Sequence, residues 1–130
     1  MEITAYAITR TVDAPFAETI ERVTEALAAE GFGILTTIDV QATMRKKLDL
    51  GIEPYTILGA CNPQLASRGL AIEPDLGVLL PCNVVVRRDG DQTVIAAMEP
   101  LAAMALAANP DLEPVATEAR ERIERAIASI

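Results

Sequence analysis

The chain has 130 residues, 51% of them apolar but only 3% aromatic and none of them Trp, so one domain (1–130) with a core of Ala, Val, Ile and Leu is expected. A net charge of −8 argues against a nucleic-acid partner, because attraction to phosphate backbones comes from clustered Lys and Arg. With no run of about 18 apolar residues, and with Met1-Glu2-Ile3-Thr4 unlike the start of a signal peptide, a cytoplasmic protein without a membrane partner is expected.

Residues Ile3 to Thr9 alternate as a first strand. Asp13-Ala14-Pro15 has the form of a helix start, with Asp as cap and Pro in the first turn, and Phe16, Ile20, Val23 and Leu27 then share one face up to Gly31. Gly33 to Ile38 reads as a second strand. Asp39 is placed to cap a short helix in which Val40, Met44 and Leu48 align, while Arg45, Lys46 and Lys47 form a solvated basic face. After Gly51, Pro54 to Ala60 is a third strand. Asn62-Pro63 repeats the cap-then-proline start for a helix reaching about Ile72.

Val78 to Arg87 reads as a fourth strand, and Thr93 to Met98 as a fifth, joined by a tight turn at Asp89-Gly90. An Ala-rich segment, Leu101 to Ala108, precedes a final helix from about Asp111 to Ser129. Its buried stripe is Leu112, Val115, Ala119, Ile123, Ala126, Ile127 and Ile130, and its wet side offers the pairs Glu118-Arg122 and Glu121-Arg125.

The pattern is therefore α+β: strand, helix, four strands, helix, with two short helices inserted around the third strand. An antiparallel-type sheet packed by two long helices is its simplest arrangement. The stretch VLLPCNVVV is apolar on both alternations, so something should cover the second face of the fourth strand, and a homodimer is the expected cover. Pro81 cannot donate to a ladder and marks an edge or a bulge in that strand.

Chemistry concentrates at the two Cys-Asn pairs, Cys61-Asn62 and Cys82-Asn83. Two cysteines are too few for a disulfide framework, and as thiols they have four readings: buried small hydrophobes, ligands for a soft ion such as Cu(I) or a zinc set pooled between subunits, a redox pair, or a nucleophile. Alternation places Cys82 on one face of its strand and Asn83 on the other; whether Cys61 shares the face of Cys82 depends on register. Asn62 has a ready role as a helix cap, whereas Asn83, inside an apolar strand, needs hydrogen-bond partners.

The chain has no His, which removes the commonest general base and the triads built on it. Glu73 and Asp75 flank Pro74 as a further carboxylate pair, although acidic residues at a proline turn are commonly just solvated. Gly31-x-Gly33 lacks the third glycine of a phosphate-binding loop and precedes a strand, the wrong order for one.

The stretches GFGILTTIDVQATMRKKL (31–48) and PYTILGACNPQLASRGLAIEPDLGVLLPCNVVVR (54–87) resemble the domain of unknown function 302 family of small bacterial and archaeal proteins. The motif positions are Asp39, Gly59, Cys61, Asn62, Pro63, Glu73, Pro74, Pro81 and Cys82. The resemblance implies a TATA-binding-protein-like fold and a dimer. It brings no settled activity, and a shared fold name with a DNA-binding protein implies nothing about DNA.

The reading taken forward is a dimeric domain binding a small molecule or soft metal, with Cys61 and Cys82 as contacts, Asn62 and Asn83 beside them and Asp39 as a second polar wall. The alternative is a thiol-dependent enzyme or redox protein using Cys61, whose place before a helix would favour a thiolate. A third reading is a structural interaction protein without a ligand.

Overall fold

The computed structural model describes residues 1–130. Its strands are β1 (Glu2–Ile3), β2 (Ala7–Val12), β3 (Gly33–Asp39), β4 (Tyr55–Cys61), β5 (Cys82–Asp89) and β6 (Gln92–Met98). Its helices are α1 (Phe16–Ala29), α2 (Val40–Leu48), α3 (Pro63–Ile72), α4 (Pro100–Ala105) and α5 (Glu113–Ala128), and short 3-10 turns run over Pro74–Leu79 and Pro110–Leu112. The strands form one antiparallel sheet in the order β1-β2-β6-β5-β4-β3, so the fold is α+β as the pattern implies.

Register explains the core. Ile8, Ala97, Val84 and Leu58 stand opposite one another in successive ladders, making one buried row across β2, β6, β5 and β4. On this face lie Val23 and Leu27 of α1 and Ile123 and Ile127 of α5, all fully buried, each contributing about 1.5–3 kcal/mol by leaving water. The alanines Ala60, Ala97, Ala119 and Ala126 belong to the same core. In a chain nearly free of aromatics, such small residues let helices and sheet approach closely.

The opposite face is a second register row: Ile38, Ile57, Val85, Ala96 and Thr9. Ile38 is exposed there, and Ile57, Val85 and Ala96 are half-buried. Thr36 and Asn83 flank the row on one side, Tyr55, Arg87, Val94 and Thr11 on the other.

Several expected boundaries move. The first strand is really a hairpin, because Thr4 turns the chain: its amide donates to the Ala7 carbonyl at 2.8 Å and its hydroxyl accepts from the Ala7 amide at 3.0 Å. Asp13 does not cap α1; it accepts from the Gln92 side chain at 3.1 Å, and the helix begins after Pro15 without a side-chain cap. The fourth strand starts at Cys82, four residues later than the apolar run suggests, because Pro74 opens a 3-10 turn through Leu79.

That shift shortens the apolar run of β5 without removing it from the second face. Within the true strand Cys82, Val84 and Val86 are buried on one face, while on the other Asn83 is exposed and Val85 half-buried; Val78 is 86% exposed in the turn. The bulge expected at Pro81 occurs instead in β3, at Leu35 between Ile34 and Thr36. The Ala-rich segment forms α4, capped by Glu99, which the pattern had not singled out. Glu118 pairs with Arg122 at 3.3 Å as expected, but Arg125 turns from Glu121 to Glu30, at 2.9 Å.

Candidate functional site

Asn62 links β4 to α3. Its side-chain oxygen accepts from the Leu65 amide at 3.2 Å, and Pro63 fills the first helical position, where no amide is needed. Capping in this way aims the start of α3 across the end of β4. Gly31, at φ 84°, ends α1 next to it, where a Cβ would come within 2.9 Å of the Asn62 amide nitrogen.

Ala60, at the end of β4, faces Cys82 in the ladder. The two thiols are thus one residue out of register. Cys82 points into the helix-covered layer and is 5% exposed, while Cys61, the last residue of the strand, is half-buried. Burial pushes the Cys82 thiol up to about 11, with repulsion from a Cys61 charge adding to it. Cys82 is therefore a neutral thiol at physiological pH, a poor nucleophile and a poor metal ligand.

Both cysteines nonetheless line one cavity of about 300 Å³. Its floor is Ala60, Phe32 and Cys82, its helical wall Leu65 and Ala66 of α3 with Ala119 of α5, and its far side Leu76, Leu80 and Met104. Leu35 and Leu70 line it while being 67% and 40% exposed, which sets them at its rim. The bulge in β3 is what brings Leu35 there, since an extra residue re-aims its neighbours.

The lining is apolar except for the Cys61 and Cys82 thiols and Asn62. Asn62 is only 8% exposed, and its amide nitrogen donates no hydrogen bond. Pro81 also reaches the cavity, and its ring packs over Gly59: a Cβ on Gly59 would lie 2.9 Å from Pro81 Cγ and would collide with Thr36 Oγ1. Glycine at 59 is what allows β4 to run between these two neighbours.

The other sequence candidates lie elsewhere. Asp39 sits at the opposite end of β3 from Gly33, the residue facing Cys61, roughly 20 Å away at about 3.3 Å per residue. There it caps α2, accepting from the Ala42 amide at 2.9 Å. Asn83 lies on the open face of the sheet opposite Gly59, exposed, so solvent satisfies the amide that a buried position would have left wanting. Glu73 accepts from Asn109 at 3.3 Å and is not joined with Asp75 in a pair. Arg45, Lys46 and Lys47 are exposed on α2 as expected.

No three of His, Cys, Asp and Glu converge on a point that could hold a metal ion. A zinc set pooled from two subunits would need Cys82 at the surface, and it is inside its own protomer. Sequence reasoning located Cys61, Asn62 and Cys82 but missed Leu35, Leu65, Leu70, Met104 and Ala119. These come from four separate segments, and only the buried stripe of the last helix, which includes Ala119, hinted at any of them.

A family model described as "Domain of unknown function DUF302" matches residues 8–130. No curated protein matches the chain. Among solved structures, the crystal structure of an uncharacterised conserved protein DUF302 from Bacillus stearothermophilus is similar, with 32% identity, a TM-score of 0.87, and coverage of 94% of this chain and 95% of that one.

Proposed function

This chain belongs to the family described as domain of unknown function DUF302, and from that premise we propose that it is a homodimeric domain that binds a small, largely apolar molecule in the cavity between β4, α3 and α5. The observation that carries the reading is the cavity itself: about 300 Å³, at the low end of ordinary ligand pockets, apolar, with three polar side chains gathered on one side. An apolar cavity of about 150 Å³ already suffices for benzene, so a ligand roughly twice that size has room. Small molecule is favoured over soft metal because Cys82 holds its proton and no third donor stands near.

The dimer draws support from the row Ile38, Ile57, Val85 and Ala96, apolar and without a long helix over it, with the polar Thr36, Asn83, Tyr55 and Arg87 beside it in the manner of an interface rim. Two free thiols favour a reducing compartment such as the cytoplasm. No helix is long and apolar enough to cross a membrane.

Native mass spectrometry of protein purified anaerobically without chelator tests both parts. A dimer carrying an organic adduct, lost in Ala66→Trp, which fills the cavity from its wall, supports the reading. A bare monomer in every preparation contradicts it. A second reading, thiol chemistry at Cys61, is favoured by its half-buried place on the cavity wall directly before the capped start of α3. It requires rapid alkylation of Cys61 alone in the native protein, and fails if both cysteines resist until denaturation.

A further inference from the structure

A second cavity, of about 350 Å³, lies between α4 and the start of α5, lined by the apolar Leu101, Ala105, Ala108 and Leu112 and, at its polar margin, by Asn109 and Glu113. Met104 is the one side chain that lines both this cavity and the cysteine cavity. Along α5, Ala116 borders the second cavity and Ala119 the first, three residues and therefore about 4.5 Å further along the same face. The two spaces are neighbours along one stripe of alanines, and the partition is Met104, packed with Leu76 and Leu112.

Methionine is the apolar side chain best able to clear such a passage, being unbranched with three rotatable bonds. The backbone that carries it is capped by a side chain at its start and closed by backbone bonds from Leu106, Ala107 and Ala108 at its end. Glu99 caps α4 by accepting from the amides of Leu101 and Ala102 at 3.1 and 2.8 Å, while Met104 lies on the last turn of that six-residue helix. At the opposite end of the path stands Asn62, whose side-chain oxygen caps α3 and whose amide nitrogen has no protein acceptor and is not sealed from water. No Lys or Arg lines either cavity, so a charged carboxylate has no counter-ion there.

We propose that the two cavities form one channel for an extended aliphatic chain bearing a neutral hydrogen-bond acceptor, the acceptor received by Asn62 and the tail passing Met104 into the second cavity. This rests on the small-molecule reading above and names its ligand class.

The test is calorimetric binding of straight-chain methyl ketones of about six to about sixteen carbons. Each methylene buried raises affinity about fourfold, so the climb with length continues only while there is apolar space to fill. For the native protein the climb runs on into the long members. In Met104→Phe, where a rigid ring bars the passage, it stops early. Ala105→Trp, at an exposed position on the second cavity's wall, fills the far chamber without altering the partition and shortens the climb in the same way. If the short ketones bind but native protein and both variants stop at one length, the channel is wrong and the cysteine cavity stands. If no ketone binds, the channel and the cavity reading fall together.

Discussion

Cys82 faces Ala60 across the β4–β5 ladder, so the thiol of Cys61, one residue on, belongs by alternation to the other face of the sheet. The two cysteines meet at one cavity only because β4 ends at Cys61 and hands the chain to α3. Their chemistry is accordingly unequal: Cys82 is a core residue that forms a floor, and Cys61 is the accessible one.

That inequality has a pH signature. The Cys82 thiol titrates near 11 in the folded chain, against 9.0 for an unperturbed thiol, so below about pH 9 it is protonated in both states and its contribution is fully present. As pH rises toward 11 the unfolded chain loses the proton and the folded one does not, and stability falls by about 2 kcal/mol. Urea unfolding across this range should show the loss in the native protein, and a shallower one in Cys82→Ala.

Gly59 should not tolerate a side chain. Gly59→Ala drives a methyl into Thr36 Oγ1 and against the Pro81 ring, an overpacking that costs about 1–3 kcal/mol in denaturant unfolding. Adding Thr36→Ser, which keeps the oxygen, should recover little; adding Thr36→Ala, which removes it, should recover part. The double-mutant cycle then reports the contact directly.

Glu99 supports α4 and, through it, Met104. Its carboxylate is 8% exposed, caps two amides and lies 3.5 Å from Arg120 Nε, an ionic contact without hydrogen-bond geometry that leaves this nitrogen buried and otherwise unpartnered. Glu99→Ala removes the cap and the only nearby counter-charge and should cost about 3 kcal/mol or more; Glu99→Gln, which can still accept from the amides, should cost less. Thermal unfolding of the two variants checks the order.

On the open face, Val85 stands between Ile57 and Ala96 in the apolar row. Val85→Arg places a charge there and should weaken self-association by more than about a hundredfold, read by light scattering, while leaving the helix-side core and the monomer fold intact. Thr11→Arg, at the margin of the same face, should change it little.

The residues that were legible in the sequence are those whose role is local. Asp39 and Asn62 cap the helices that follow them, and the stripe from Leu112 to Ile127 is buried as its spacing implies. What could not be read depends on register or on distant partners. VLLPCNVVV looked like one strand because hydrophobicity does not distinguish a strand from a 3-10 turn opened by Pro74, and Asp39 looked like part of the site because sequence proximity says nothing about which end of β3 it occupies. Met104 carries no signal at all in an Ala-rich stretch; it matters only because α4 folds back over α5.

The central claim is that an apolar molecule enters the cavity bounded by Cys61, Asn62 and Ala119. The most direct measurement is NMR of the native protein titrated with a medium-length methyl ketone, following the Asn62 side-chain amide and the methyls of Leu65 and Ala119 against those of Ile57 and Val85. The account predicts saturable shifts at Asn62, Leu65 and Ala119 with Ile57 and Val85 unmoved. Shifts confined to Ile57 and Val85, or none at any ketone concentration, would contradict it.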